Sequence, residues 1–219
     1  MNYIINLNIK EKVFKKPRLS ILKNFKLEVN AGEKIAIVGK SGVGKSSLLN
    51  IIGLLDTNYD GEYTLFGSRT DKLGEKTFAR WRNQKIGFVL QESALINSLS
   101  VEDNIKLPLL YADIEDKNSA LKDLENITNT IGIEHILKKK PFDCSGGERS
   151  RVVFARGIIM NPQIILADEP TASLDAENKE KIINLLFNRN KEFNTTIITV
   201  THDLEVAERH DRIIHLERG

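Results

Sequence analysis

Apolar runs rich in β-branched residues recur along the chain: Ile35-Ala36-Ile37-Val38, Ile86-Gly87-Phe88-Val89, Ile164-Ile165-Leu166, Thr196-Ile197-Ile198-Thr199-Val200 and Ile213-Ile214. Each has about the length of a strand buried on both faces. Stretches of helical periodicity separate several of them, residues 178–192 among them. That alternation predicts an α/β fold around a mostly parallel sheet. Residues 1–30 alternate more loosely and end before Gly32, which predicts antiparallel strands laid against the main sheet. Residues 92–157 hold helical patterns such as 119–131, punctuated by Pro108 and Pro141, and no strand pattern. They predict a helical lobe inserted into the α/β core. No internal repeat or low-complexity tract breaks this layout.

The chain has 219 residues, enough for one good core and a second lobe. Its 41% hydrophobic and 28% charged residues are those of an ordinary globular protein. The net charge of +2, with a pI near 8.5, lacks the long basic stripe that nucleic-acid binding would need. No apolar run approaches the roughly 18 residues that cross a bilayer, so no direct membrane insertion is expected. The first ten residues lack the basic-then-apolar layout of a secretory signal. A single cysteine, Cys144, excludes an intrachain disulfide framework and fits a reducing compartment. Any role at a membrane then runs through a partner chain.

The strongest local pattern is Gly39-Lys40-Ser41-Gly42-Val43-Gly44-Lys45-Ser46, which follows one predicted strand and opens a predicted helix through Ser47. That is the P-loop pattern in its required context. Gly39, Gly42 and Gly44 let successive backbone N–H groups turn toward phosphate oxygens, and the helix N-terminus adds favourable charge. Ser41 and Ser47 belong to the same cradle. Lys45 is placed to reach the β- and γ-phosphates of ATP, and Ser46 to ligate Mg²⁺. Further on, the strand Ile164-Ile165-Leu166-Ala167 ends in Asp168-Glu169. Carboxylates at a strand's C-terminal edge suit a metal site: Asp168 would hold Mg²⁺ and Glu169 would act as general base toward water.

Kinases and GTPases share those two elements. The discriminating stretch is Cys144-Ser145-Gly146-Gly147-Glu148, which resembles the signature of the ABC transporter ATPases. A hydroxyl and glycine amides at a helix start are anion donors. The P-loop already supplies one such set, so a second set implies a composite site. The resemblance runs along essentially the whole chain and implies one ABC ATPase domain, 1–219. Its nucleotide-binding core with the β subdomain would span 1–91 and 158–219, and its helical signature subdomain 92–157. It implies a homodimer formed on ATP binding, each ATP meeting Ser145, Gly146, Gly147 and Glu148 of the opposite subunit. It further implies Gln91 as a contact to Mg²⁺ and water, Asp175 in the loop that communicates across the dimer, and His202 on the γ-phosphate. Phe14 stands where the family stacks an aromatic ring on adenine. It implies a separate transmembrane permease and a place on the cytoplasmic face of the bacterial inner membrane.

Three further segments resemble one branch of that family: Ile52-Gly53-Leu54-Leu55-Asp56, then residues 82–91, then Leu99-Ser100-Val101-Glu102-Asp103-Asn104-Ile105-Lys106-Leu107-Pro108-Leu109-Leu110. The branch serves lipoprotein release, macrolide export, bacteriocin or peptide export and cell-division signalling. It implies export of a lipoprotein, a peptide or a hydrophobic drug, or alternatively force transmission to cell-wall enzymes without transport. Cys144 departs from the family's usual leucine, and Gly157 from its usual alanine, at an expected cost of about 1 kcal/mol to its helix. His135, His210 and His215 show no metal-ligand spacing and read as surface or capping histidines. Lys138-Lys139-Lys140 reads as a solvated helix end, and Arg80-Trp81-Arg82 with Lys85 as plain surface or a partner contact.

Overall fold

The computed structural model describes residues 3–15, 18–90, 95–172 and 174–217, with the side chains of 14, 15, 18 and 19 outside the description. Gln91, Ser173 and the Phe14 side chain therefore lie outside the described residues. Two sheets organise the chain. The first is antiparallel and four-stranded, in the order β2-β1-β4-β5, built from β1 (Ile5–Lys15), β2 (Arg18–Val29), β4 (Asp60–Leu65) and β5 (Ser68–Arg69). The second is five-stranded, with β6 (Ile86–Val89), β7 (Ile164–Asp168), β8 (Thr196–Val200), β3 (Lys34–Val38) and β9 (Arg212–His215) side by side in that order. Every pairing in it is parallel. The predicted α/β core is therefore present, strand for strand. The antiparallel layer is larger than residues 1–30 alone suggested, because β4 and β5 join it along the free edge of β1.

The parallel strands are legible because both faces are covered. β8 is buried at every position, and β3 at all but Lys34. Helix α1 (Lys45–Ile52) lays Leu48, Leu49, Ile51 and Ile52 into the cluster that also holds the inner faces of β1, β2 and β4. Each such side chain contributes about 1.5–3 kcal/mol when buried from water. Helix α2 (Glu75–Gln84) adds Phe78 and Trp81. Trp81 is not surface, as its basic neighbours suggested: it meets Phe66 edge-on at 5.1 Å, and the Lys85 ammonium sits 4.9 Å from the Phe66 ring centre.

The stretch between β6 and β7 is helical among its described residues: α3 (Val101–Lys106), α4 (Ile114–Thr130) and α5 (Gly146–Ile158). Ser100 starts α3 with a reciprocal capping box to Asp103. Val101, Ile105, Ile127 and Ile136 of this lobe share one apolar cluster with Ile165, Ile182 and Ile197 of the core. A buried arginine reinforces that seam. Arg189, on α6 (Ala176–Phe193), lies 2.6 Å from the Asp123 carboxylate of α4 and donates to Asn161 Oδ1 at 2.5 Å. A short helix α7 (Leu204–Glu208) completes the fold. His210, expected at the surface or on a cap, is buried after it, with Nδ1 2.9 Å from Val206 O and Nε2 2.9 Å from Thr199 Oγ1. Burial pushes its pKa down.

Gly157 has a packing reason that its helix position alone did not reveal. A Cβ there would stand 2.7 Å from the Phe88 carbonyl oxygen, and one on Gly87 would stand 2.2 Å from the Gly157 carbonyl oxygen. The missing side chains let α5 lie directly on β6. Gly157→Ala gains about 1 kcal/mol of helix propensity but forces the two backbones apart, at about 1–3 kcal/mol. Net destabilisation is the expected outcome in urea unfolding; a more stable variant would contradict this packing account.

Candidate active site

The phosphate loop follows β3, which runs between β8 and the edge strand β9 of the parallel sheet. Gly44 is the N-cap of α1, at φ 107°, with no side-chain hydrogen bond on the cap. A Cβ at this position would fall 2.2 Å from Ile21 Cγ2, so glycine is required by both conformation and space. Lys45 Nζ donates to the carbonyls of Gly39 and Lys40 at 2.7 and 3.0 Å, folding its stem along the loop. Ser46 Oγ donates to Asp168 Oδ2 at 2.7 Å, joining the start of α1 to the end of β7.

Glu169 follows Asp168 at φ 49°, a left-handed conformation that costs a non-glycine residue about 1–2 kcal/mol. Its N–H donates to Val200 O at 2.9 Å, which holds the backbone against β8. Its carboxylate is 16% exposed, with Oε1 2.8 Å from His202 Nδ1. Thr201 Oγ1 donates to its other oxygen at 3.5 Å. Of the six described non-glycine residues at positive φ, Glu169 is the one that lines this cleft, and backbone strain of this kind is found at working sites.

These groups line one open cleft of about 600 Å³: Gly39, Ser41, Gly42, Gly44, Lys45, Ser46 and Ser47 on one side, Asp168, Glu169 and His202 on the other. That volume suits a nucleotide. The cleft offers amide and ammonium donors for phosphate, hard oxygens of the kind magnesium takes, and a carboxylate to accept a proton from water. Ile21, Ala172 and Thr201 also belong here and escaped the sequence reading. Thr201 immediately precedes His202 at the end of a strand, and that adjacency was the available signal.

The remaining predicted residues stand elsewhere. Ser145 is the N-cap of α5 in a capping box: its Oγ accepts the Glu148 N–H at 3.2 Å, and Glu148 Oε2 accepts the Ser145 N–H at 2.6 Å. That backbone bond holds the Glu148 carboxyl below its ordinary pKa. Gly146 and Gly147 form the first turn of the helix. Asp175 caps α6, accepting the Asn178 N–H at 2.9 Å, which also lowers its pKa. None of Ser145, Gly146, Gly147, Glu148 and Asp175 lines the cleft. Cys144 is a buried thiol, its pKa raised by desolvation. Among the described residues no helix is long and apolar enough to cross a membrane.

The whole arrangement has known counterparts. Residues 22–172 match the family described as "ABC transporter". The lipoprotein-releasing system ATP-binding protein LolD of Legionella pneumophila (strain Paris) is 40% identical over 202 residues, which cover 92% of this chain and 88% of that one. The macrolide export ATP-binding/permease protein MacB of Rhodopirellula baltica is 38% identical over 92% of this chain, a stretch that makes up 30% of its own length. Among solved structures, a dimeric ATP-binding cassette in a post-hydrolysis state bound to ADP and Pi superposes with a TM-score of 0.88 at 37% identity, covering 97% of this chain and 94% of that chain. The chain belongs to the ABC transporter family, as an ATP-binding cassette that hydrolyses ATP.

Proposed function

We propose that this cassette works as a head-to-tail dimer that drives a separate membrane permease, with export of a lipoprotein, a peptide or a hydrophobic drug as the task. The observation that carries the reading is the meeting of the phosphate loop, Asp168 and the Glu169–His202 pair in one cleft, with the Ser145 helix start outside it. A site with its second anion-binding helix elsewhere on the chain is completed by another copy. The names of LolD and MacB support lipoprotein release or drug export, and the dimeric neighbour supports the assembly.

In this reading the amides of 39–44 and the Lys45 ammonium hold the ATP phosphates. Ser46 and Asp168, already in contact through hard oxygens, fit Mg²⁺, and Gln91 would join them. Bound there, the ion would neutralise charge on the β- and γ-oxygens. Glu169 accepts the proton of the attacking water as its oxygen adds to the γ-phosphorus and ADP leaves. His202 holds the Glu169 carboxylate and reaches the γ-phosphate. From the opposite subunit, Ser145 Oγ and the Gly146 and Gly147 amides close over that phosphate while Glu148 shapes their turn, and Asp175 carries the contact across the dimer. Phe14 stacks on adenine. We assign 1–91 and 158–219 to the nucleotide-binding core and 92–157 to the signature lobe. The permease places the assembly on the cytoplasmic face of the inner membrane.

The test is what co-purifies with a Glu169→Gln chain from native membranes in Mg-ATP, identified by mass spectrometry. A permease of few membrane helices with a large outer domain, together with exported cargo, is the expected result. The same permease bound to a cell-wall hydrolase and no cargo would replace export by force transmission. Recovery of only soluble partners would defeat the transporter role.

A further inference from the structure

Lys12 lies at the inner face of β1 with 2% of its surface exposed, a rare place for an ammonium. Its Nζ donates to Asp56 Oδ2 at 2.5 Å and to the Asn58 carbonyl at 2.6 Å. The acceptor is itself fixed. Asp56 Oδ1 takes the Asn58 N–H at 2.9 Å, and the amides of Leu55 and Asp56 both donate to Asn50 O, in the last turn of α1, at 2.8 and 3.1 Å. A charged contact thus ties β1 to the C-terminal end of the helix whose first residue is Lys45.

A second contact ties the neighbouring strand to the other end of that helix. The pairing of β1 and β2 slips at this level: Lys12 stands opposite Leu22, but Val13 stands opposite Ser20. Ile21 is the extra residue of the resulting bulge. It lines the phosphate cleft and presses on Gly44, the N-cap of α1. The hairpin therefore grips α1 at both ends. Phe14 lies two residues beyond Lys12, past the bulge, paired in register with Leu19. A buried ion pair adds little net stability over apolar residues of the same shape; what it supplies is a fixed geometry.

We infer that Lys12 is a positioning residue for the nucleotide base: its contact with Asp56 and Asn58 fixes the strand backbone two residues before Phe14 relative to the helix that opens with Lys45. The base and the triphosphate of one nucleotide are covalently joined. A platform displaced relative to the cradle therefore loses stacking while the phosphate contacts survive. The inference rests on Phe14 as the adenine-stacking residue, and the two ideas fail separately in the experiment below.

Binding of ATP and of UTP, which stacks less but carries the same ribose and phosphates, is measured by titration calorimetry. The chains compared are wild type, Lys12→Met, Asp56→Asn, Phe14→Ala and the Lys12→Met/Phe14→Ala double variant. Lys12→Met is expected to weaken ATP about tenfold and UTP about twofold or less, so that the ATP-to-UTP preference falls. Asp56→Asn shifts the preference in the same direction and carries the test if Lys12→Met unfolds. The double variant is expected to be no worse than Phe14→Ala, because Lys12 acts through it. Equal losses for both nucleotides would reduce Lys12 to a structural role and overturn the inference. So would an unchanged preference in both strut variants alongside a lost one in Phe14→Ala, which leaves the adenine reading standing. A Phe14→Ala chain with undiminished preference would remove the adenine reading, and with it the route by which Lys12 acts.

Discussion

A Glu169→Gln chain is expected to bind ATP as tightly as the wild type and to turn it over about a thousandfold more slowly, the scale of a lost general base. The substitution keeps the shape of the side chain and its backbone anchor to Val200 O. It also keeps an oxygen for Thr201 and a polar partner for His202, so the strained φ of 49° and the cleft geometry survive. What it removes is the ability to accept a proton. Steady-state phosphate release beside equilibrium nucleotide binding separates the two effects. Wild-type turnover in this variant would remove Glu169 from the chemistry.

Lys45→Ala has the second large effect, on binding rather than turnover. Lys45 Nζ already lies against the Gly39 and Lys40 carbonyls, so its ammonium stands at the loop that would surround the phosphates. A charge-assisted contact from a preorganised lysine to phosphate is worth about 1.5–3 kcal/mol. ATP affinity should therefore fall about ten- to a hundredfold, with thermal stability nearly unchanged because the removed group spans no core. Unchanged affinity by calorimetry would contradict the phosphate-loop assignment.

What the sequence discloses about this protein follows from how each feature is built. The parallel strands are covered on both faces, so their apolar runs stand out without any alternation to interpret. β4 and β5 were missed because one is half exposed and the other is two residues long. The phosphate loop, Asp168-Glu169 and the signature turn are contiguous in the chain, and a contiguous motif is readable wherever its spacing is specific. Ile21 and Lys12 matter because of a one-residue slip in strand pairing, and nothing local in Leu19-Ser20-Ile21-Leu22 announces a bulge. Trp81 and His210 were misplaced for a related reason: basic or polar neighbours made them look exposed, whereas Phe66 and Thr199, distant in sequence, bury them. Gly157 looked like a weak point in a helix until its carbonyl was seen to lie where a Gly87 side chain would be.

In the proposed dimer the catalytic cleft is completed by the Ser145 helix start of a second copy. Light scattering on the Glu169→Gln chain with and without ATP tests it most directly, with Ser145→Arg added in the same background. The account predicts an ATP-dependent dimer that binds one nucleotide per subunit, and monomers when Ser145→Arg is present. An ATP-saturated monomer, or a dimer indifferent to Ser145→Arg, would contradict it.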